Sequence, residues 1–265
     1  MKKTFMSLAV TALLGLSGVA ASAAPVYPDF TVDEGSVAGT PGNIFVADKM
    51  TGSYVEKVTI GADASSPTGL GFSSSAYVNF AGYTANDGTA AVDTYLNGPG
   101  GNGYRLYGIF SSVGVVTSPT VFTGTSGMVE LFIDPNKDTV KGFDAGNNAV
   151  VLSGGGDDYR IAFSLNLTSA VGNSASPSAF NFVFSDFELT DKGELYFTAP
   201  SNPFYQFAIV NGDFDNIALQ VGVTTDVTGD VSAVFSKIPE PGSLALLGLG
   251  LAGLGFTQRR RNQAK

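Results

Sequence analysis

A strict alternation of apolar and polar residues is the feature that most constrains the fold of this chain. In "YRIAFSLNLT" (159–168), Ile161, Phe163, Leu165 and Leu167 fall on one face of an extended segment. The stretch "AFNFVFSDFELT" (179–190) repeats the pattern with phenylalanines and one change of phase. A period of two residues is typical of a β-strand that buries one face. The pattern therefore predicts an all-β chain.

Similar segments follow one another from Tyr54 onward, separated by turn clusters such as "NGPGGNGY", "SGGGDDY" and "NGDFDN". No stretch before the C-terminal tail shows a 3.6-residue period. About ten short strands at this spacing are typical of antiparallel all-β folds. We therefore expect a single antiparallel β-sandwich or jelly-roll-like domain. Most of the phenylalanines are expected to fill its core.

The two ends differ in composition from the body. Residues 1–23 combine Lys2 and Lys3 with an apolar run and a small-residue Ala21-Ser22-Ala23 site, which is typical of a secretory signal peptide for the Sec pathway. At the other end, an uncharged run of about 15 residues spans roughly 22 Å as a helix, against about 30 Å for a hydrocarbon core. This length favours a transient inner-membrane anchor over a permanent one.

The C-terminal segment carries three features in a fixed order. Pro239, Glu240 and Pro241 precede the apolar helix predicted at 243–256, and Arg259, Arg260 and Arg261 follow it. Together they resemble the PEP-CTERM sorting signal of Gram-negative bacteria. The resemblance implies that exosortase, a membrane enzyme, recognises and removes the tail, and that the protein then reaches the cell surface or extracellular matrix. The expected divisions are a signal peptide (1–23), an exported β-rich acidic domain (24–237) and the sorting signal (238–265).

The body is strongly acidic and lacks several reactive residue types. Six of the 14 basic residues and one of the 23 acidic residues lie in the two end segments, so the body has a formal charge of 8 − 22 = −14. Such a surface repels nucleic acid and attracts cations. The chain has no cysteine and no histidine. Disulfides, Ser-His-Asp or Cys-His catalysis and sites that need these ligands are thereby excluded, and no cofactor is required.

One loop has the spacing of an oxygen-lined calcium site. In "DPNKDTVKGFD" (134–144), Asp134, Asn136 and Asp138 stand at alternate positions, and Asp144 lies further on. Thr139 and Ala145 depart from the EF-hand pattern, and an ordinary Asp/Asn turn is the simpler interpretation. We therefore predict that these four residues bind calcium, with an ordinary Asp/Asn turn as the alternative.

Other residues suggest contacts with sugars. The tyrosines beside Gly/Asn-rich loops are candidates to stack on a glycan: Tyr83, Tyr95, Tyr104 and Tyr107. Closely spaced carboxylates occur at Asp157-Asp158 and at Asp213 with Asp215, and a glycosidase needs two carboxyls about 5–10 Å apart. Solvated loops are the simpler interpretation, so we expect no enzymatic activity.

Stretches of the body, "KMTGSYVEKVTI", "GTSGMVELFIDPNKDT", "DDYRIAFSLNLTSA" and "GDVSAVF", resemble the flocculation-associated PEP-CTERM proteins. This resemblance implies a surface protein that supports flocculation or biofilm formation with an exopolysaccharide matrix. Two alternatives stay open, a lectin-like module that binds the polysaccharide and a carboxylate-based glycoside hydrolase.

Overall fold

The computed structural model describes residues 27–201, 204–215 and 220–237, and in these ranges the chain is almost entirely β. The signal peptide expected at 1–23 and the sorting signal expected at 238–265 lie outside the described residues. The strands in chain order are β1 (Phe30–Asp33), β2 (Ile44–Ala47), β3 (Lys49–Ala62), β4 (Leu70–Ala85), β5 (Ala90–Ala91), β6 (Arg105–Ser118), β7 (Val121–Asp134), β8 (Val140–Phe143), β9 (Val150–Ser153), β10 (Tyr159–Ser164), β11 (Asn166–Asn173), β12 (Ala179–Ser185), β13 (Glu188–Leu189), β14 (Phe197–Ala199), β15 (Phe207–Gly212) and β16 (Thr224–Ser236).

Three short helical turns complete the described elements. They are the 3-10 turns Glu34–Ser36 and Gly100–Asn102 and the helix α1 (Asp191–Tyr196). Thr190 caps α1, because its hydroxyl accepts a hydrogen bond from the backbone N–H of Gly193. The all-β expectation is confirmed.

The central sheet closes on itself. Its antiparallel order is β11-β12-β15-β16-β3-β4-β6-β7, and β7 pairs again with β11 through the partners Thr123 and Val171. The result is a closed barrel of 8 strands. The expected sandwich or jelly roll is therefore corrected to a barrel. The physical reason is that β7 hydrogen-bonds on both edges, so no free edge separates two stacked sheets.

Alternation along each long strand sorts the side chains between the barrel interior and its outer wall. On β3, Tyr54, Val58 and Ile60 are buried, whereas Lys57 and Thr59 face outward. The predicted alternation through "YRIAFSLNLT" is wrong at Phe163 and Leu165. The β7–β10 register shifts between Arg160 and Ala162, so Ala162 and Ser164 are buried, while Phe163 is only partly buried beneath the guanidinium of Arg160. Leu165 lies between β10 and β11 and is 67% exposed. There Ser164 turns inward and donates a hydrogen bond to the carbonyl of Ser185 at 2.6 Å.

One end of the barrel is covered by a small sheet with the order β14-β1-β2 and by α1. Phe30 of β1 packs edge-on against Phe235 of β16, with ring centroids 5.2 Å apart, and against Phe197 at 5.7 Å. The buried phenol of Tyr83 joins the same aromatic group. This aromatic packing closes one end of the barrel with apolar side chains.

The hairpin formed by β8 and β9 lies on the outer wall. Its Phe143 packs against Tyr77 of β4, with ring centroids 5.4 Å apart, and lies beneath the ammonium of Lys57. The amide of Asn148 donates to the hydroxyl of Thr224 at 3.2 Å. The segments that flank this hairpin carry the acidic residues described next.

Candidate functional site

Three carboxylates converge where β7 ends and β10 begins. Asp134, Asp138 and Asp157 each place an oxygen so that the three atoms lie within 4.8 Å of one another; we refer to these three residues as the acidic cluster. Asp134 is the last residue of β7, and Asp157 precedes β10, which pairs with β7 through Tyr159 and Ile133. The antiparallel pairing therefore brings together residues distant in sequence.

Asp134 is the buried member of the acidic cluster. Its two carboxylate oxygens accept hydrogen bonds from the backbone N–H groups of Asp138, at 3.3 Å, and Thr139, at 3.2 Å. Burial raises the pKa of Asp134, and nearby Asp158 adds to this, while the backbone donors act in the opposite direction. The loop is thus folded around an acid whose charge is only partly compensated.

Two carboxylate oxygens near Asp134 have no hydrogen-bond partner among the described residues. Asp158 accepts hydrogen bonds through Oδ2 from the hydroxyls of Tyr107, at 2.6 Å, and Thr139, at 2.7 Å. Its Oδ1 and the Oδ2 of Asp157 are buried without a hydrogen bond. An unpaired buried carboxylate oxygen is costly, so these atoms fit a hard cation with oxygen ligands.

The charge of Lys141 opposes such a cation. Its ammonium lies 4.6 Å from the ring centre of Tyr107. Burial lowers the pKa of Lys141, as does Arg105, whereas Asp134 and Asp158 raise it. The lysine therefore supplies part of the positive charge that the carboxylates attract, and a calcium ion would compete with it.

The structure brings together only part of the calcium set predicted from spacing. Asp134 and Asp138 lie in the acidic cluster. Asn136 is exposed on the same turn, and Asp144 is exposed at the tip of the β8–β9 hairpin, where its Oδ1 accepts from the N–H of Gly146 at 2.9 Å. Asp144 is therefore a turn-capping residue. The third carboxylate is Asp157, which the sequence singled out only as half of an Asp-Asp pair.

The other carboxylate pair lies on a different hairpin. Oδ1 of Asp213 accepts a hydrogen bond from the N–H of Asp230 at 2.9 Å, and the N–H of Asp215 donates to the carbonyl of Thr228. Both contacts join the end of β15 to β16. These residues therefore support the β15–β16 connection.

Three of the four tyrosines predicted to contact glycans are core side chains. Tyr83, Tyr104 and Tyr107 are buried, and Tyr95 is half-buried against the core. Stacking on a sugar needs an accessible ring face, so burial is the physical reason to assign the first three to the core. Their position next to Gly/Asn-rich loops suggested an exposure that the structure does not give them.

A polar groove lies on the outer wall between the barrel and the β8–β9 hairpin. It has a volume of about 270 Å³. Hydroxyl and amide groups dominate its lining: Thr59, Ser73, Ser75, Ser111, Ser126, Asn147 and Asn148, with Lys57 at one side. The sequence signal for this groove is the serine run of β4 ("SSS", 73–75).

Two buried glutamates were also missed. Glu34 is fully buried, and Glu56 is buried on β3. For Glu56 a signal existed, because it occupies the same phase of the alternation as Tyr54 and Val58. A charged residue at an inward-facing position of a strand breaks the apolar–polar alternation, and this break is visible in the sequence.

Comparison with known families matches residues 237–261 to the PEP-CTERM protein-sorting motif. Searches of curated proteins and of solved structures found no match to the chain. Within the described ranges, no helix has the length and apolar character needed to cross a bilayer. The matched stretch includes the Pro-Glu-Pro and the three arginines and begins one residue after β16 ends. The chain therefore carries a PEP-CTERM protein-sorting motif, which implies processing by exosortase, export and sorting to the cell surface.

Proposed function

We propose that this protein is a non-enzymatic component of the cell surface or extracellular matrix that supports flocculation or biofilm formation together with exopolysaccharide. The observation that carries the proposal is the sorting motif at 237–261, which follows the last barrel strand directly. The resemblance of the body to flocculation-associated PEP-CTERM proteins supplies the finer assignment. Export through the Sec pathway and a transient stay in the inner membrane belong to the same proposal.

Calcium bridging is the proposed physical basis of matrix binding. The body has a formal charge of −14. One oxygen of Asp157 in the acidic cluster, and one of the adjacent Asp158, are buried without a partner among the described residues. A divalent cation held by Asp134, Asp138 and Asp157 would reduce repulsion between this body and an anionic polymer. Lys141 limits the affinity of the site, which suits the millimolar calcium range of extracellular modules, about 10⁻⁴–10⁻³ M.

Deletion of the gene tests the matrix role. We expect the deletion strain to release planktonic cells while its polysaccharide synthesis stays unchanged. Complementation with the wild-type gene should restore flocs, whereas a gene in which Pro239, Glu240 and Pro241 are alanines should not. Unchanged flocculation in the deletion strain contradicts the proposal.

Direct polysaccharide binding is the second candidate, and the polar groove on the outer wall favours it. Hydroxyl and amide side chains there suit a hydroxyl-rich ligand, and the Tyr77–Phe143 ring pair lies beside the same hairpin. The test is a pull-down of the exported protein on purified exopolysaccharide. Ser111→Phe should block the groove and abolish binding, and Ser53→Phe on the exposed outer face is the matched control. Equal binding by both variants excludes the groove.

A carboxylate-based glycoside hydrolase is the remaining alternative. We propose no turnover, because Asp157 lies in the acidic cluster and Asp158 accepts hydrogen bonds from the hydroxyls of Tyr107 and Thr139. Release of reducing sugars from the exopolysaccharide by wild-type protein, but not by a variant with Asp157→Asn, would overturn the non-enzymatic assignment.

A further inference from the structure

The floor of the polar groove consists of two rows of side chains that run across the strands. In the first row, β3, β4 and β6 place Lys57, Ser75 and Ser111 opposite one another. The second row crosses the same strands and continues onto β7: Thr59, Ser73, Val113 and Ser126. Neighbouring strands lie about 4.8 Å apart, so each row presents its side chains at a regular distance across the barrel wall.

Most hydroxyl groups of this floor are available to a ligand. The groove-lining hydroxyls that make no hydrogen bond to another described residue are those of Ser73, Ser75, Ser111 and Ser126. Thr59 differs, because its hydroxyl shares a hydrogen bond with that of Thr224 at 2.8 Å. The serine side chains are short and stand on paired strands, so ordering them on a ligand costs little conformational entropy. The floor is thus organised for hydrogen bonding before any ligand arrives.

The β8–β9 hairpin forms a wall of the groove that is fixed to the barrel. The contacts of Asn148 with Thr224 and of Phe143 with Tyr77 hold it in place. At its tip, Oδ1 of Asn147 accepts from the N–H of Ala149 at 2.9 Å, which leaves the amide NH₂ of Asn147 directed to no described residue. The groove volume of about 270 Å³ is close to the lower limit of about 300 Å³ for ligand pockets. Its size therefore suits a short stretch of a longer polymer.

The groove has no net charge, although the body around it is strongly acidic. Among the described lining residues, Lys57 is the only charged one. Its ammonium forms an ion pair with Asp226 and lies 5.6 Å from the ring centre of Phe143. An anionic ligand would compete with Asp226 for this ammonium, and the formal charge of −14 on the body would repel it.

We propose that the polar groove binds a short stretch of an uncharged polysaccharide and discriminates against polymers that carry carboxylates. Sugar hydroxyls and serine hydroxyls both donate and accept hydrogen bonds, so a neutral glycan can satisfy the floor without an ion pair. A carboxylate only accepts, and its attraction to Lys57 requires that the pair with Asp226 breaks. This inference rests on the second candidate function, direct polysaccharide binding, and specifies the class of polysaccharide.

Affinity gel electrophoresis of the exported protein tests this preference. The probes are dextran, galactomannan and xyloglucan, each compared with its carboxymethyl derivative, and a chelator removes calcium bridging at the acidic cluster. We expect at least one neutral polymer to bind, and to bind at least about fivefold more tightly than its carboxymethyl derivative. Ser75→Ala and Ser111→Ala should each weaken this binding about fivefold, because each removes one hydroxyl that bonds to the ligand.

Asp226→Asn provides a readout that a general affinity for sugars does not give. The variant leaves Lys57 without its ion-pair partner. We therefore expect its affinity for the carboxymethyl derivatives to rise about fivefold at low salt and to fall again as salt is added, with unchanged affinity for the neutral polymers. Asp230→Asn is the matched control, since it removes an equal charge from an exposed position on the same strand.

Two results overturn this inference: tighter binding of the carboxymethyl derivatives by wild type, and no binding of any of the three neutral polymers. If Ser111→Phe still abolishes binding of exopolysaccharide and Ser53→Phe does not, the groove remains the binding site and only its preference for neutral polymers is rejected. Equal binding by these two variants instead rejects the groove, and with it the second candidate function. Thermal unfolding curves of the alanine variants separate loss of the fold from loss of a hydroxyl.

Discussion

The hydroxyl of Tyr104 donates a hydrogen bond to Oε1 of Glu34 at 3.0 Å, and both side chains are fully buried. The same hydroxyl lies 2.6 Å from that of Tyr196, which in turn hydrogen-bonds with Tyr83. Burial raises the pKa of each of the three phenols well above its usual range, so they stay protonated. This chain of groups joins the small sheet and α1 to the barrel.

Replacing Glu34 should therefore loosen the covered end of the barrel. Its carboxylate also accepts from the N–H of Tyr95 and the amide of Asn43, each at 2.8 Å, and from the hydroxyl of Thr94. Glu34→Gln puts an amide donor among these donors, and we expect a loss of about 2–3 kcal/mol in unfolding free energy. Urea denaturation measures it. The exposed Glu188→Gln is the control, and equal stability of the two variants contradicts the expectation.

The buried carboxyl of Glu56 should make stability fall as pH rises. Its pKa is about 7 in the folded protein against 4.5 for an exposed glutamate. The folded state binds the proton more tightly, so this contribution is complete below about pH 4.5 and is lost as pH rises through 7. The loss approaches about 3 kcal/mol by pH 9 at 1.36 kcal/mol per pKa unit.

Urea denaturation of wild type and Glu56→Gln between pH 5 and 9 isolates this effect. The difference between the two curves removes contributions from other groups, such as Asp134, whose pKa is also raised. We expect wild type to lose stability relative to the variant over this range. Parallel curves would show that Glu56 does not titrate there.

The acidic cluster should respond to calcium. We expect calcium at millimolar concentration to raise the unfolding temperature of wild type, and Asp157→Asn to weaken binding at least about tenfold because it removes a charged oxygen ligand. Lys141→Met should strengthen binding, since it removes the competing ammonium. Asp144→Asn, at the hairpin tip, is the control. Calorimetry measures all four proteins, and no heat of calcium binding to wild type contradicts the site.

The sorting motif should determine the mature C-terminus. Replacing Pro239, Glu240 and Pro241 with alanines removes the residues that carry the motif, so we expect the exported chain to keep its C-terminal segment and to stay with the cell envelope. Intact-mass spectrometry and cell fractionation measure this. Asn262→Ala, outside the matched 237–261, is the control. If the alanine variant is processed normally, Pro239, Glu240 and Pro241 are not required for removal of the C-terminal segment.

Alternation along the strands was enough to predict the all-β class, and the phase change in 179–190 falls at Asp186, which has a φ of 51°. Closure of the barrel could not be predicted in this way. Alternation states which side chains share a face, but the β7–β11 pairing depends on hydrogen bonds between strands distant in sequence. A sandwich and a barrel therefore share the same local pattern.

The acidic cluster shows the same division. Local spacing identified Asp134 and Asp138, because both lie on one turn. Asp157 joins them only through the pairing of β10 with β7, and no spacing rule contains that contact. Tyr104 follows a glycine-rich loop, yet its partner Glu34 lies far away in sequence and holds it in the core. Contacts between residues distant in sequence thus determine both the composition of the acidic cluster and the burial of Tyr104.

The position of β16 has a mechanical consequence. This strand ends at Ser236, just before the sorting motif. It pairs with β3 from Thr224 to Ala233 on one side and with β15 from Val231 to Ser236 on the other. A pulling force applied through the C-terminal segment would act along the strand, and the hydrogen bonds run across it, so many bonds share the load together. The barrel should thus resist tension applied at the end where the chain continues into the sorting motif.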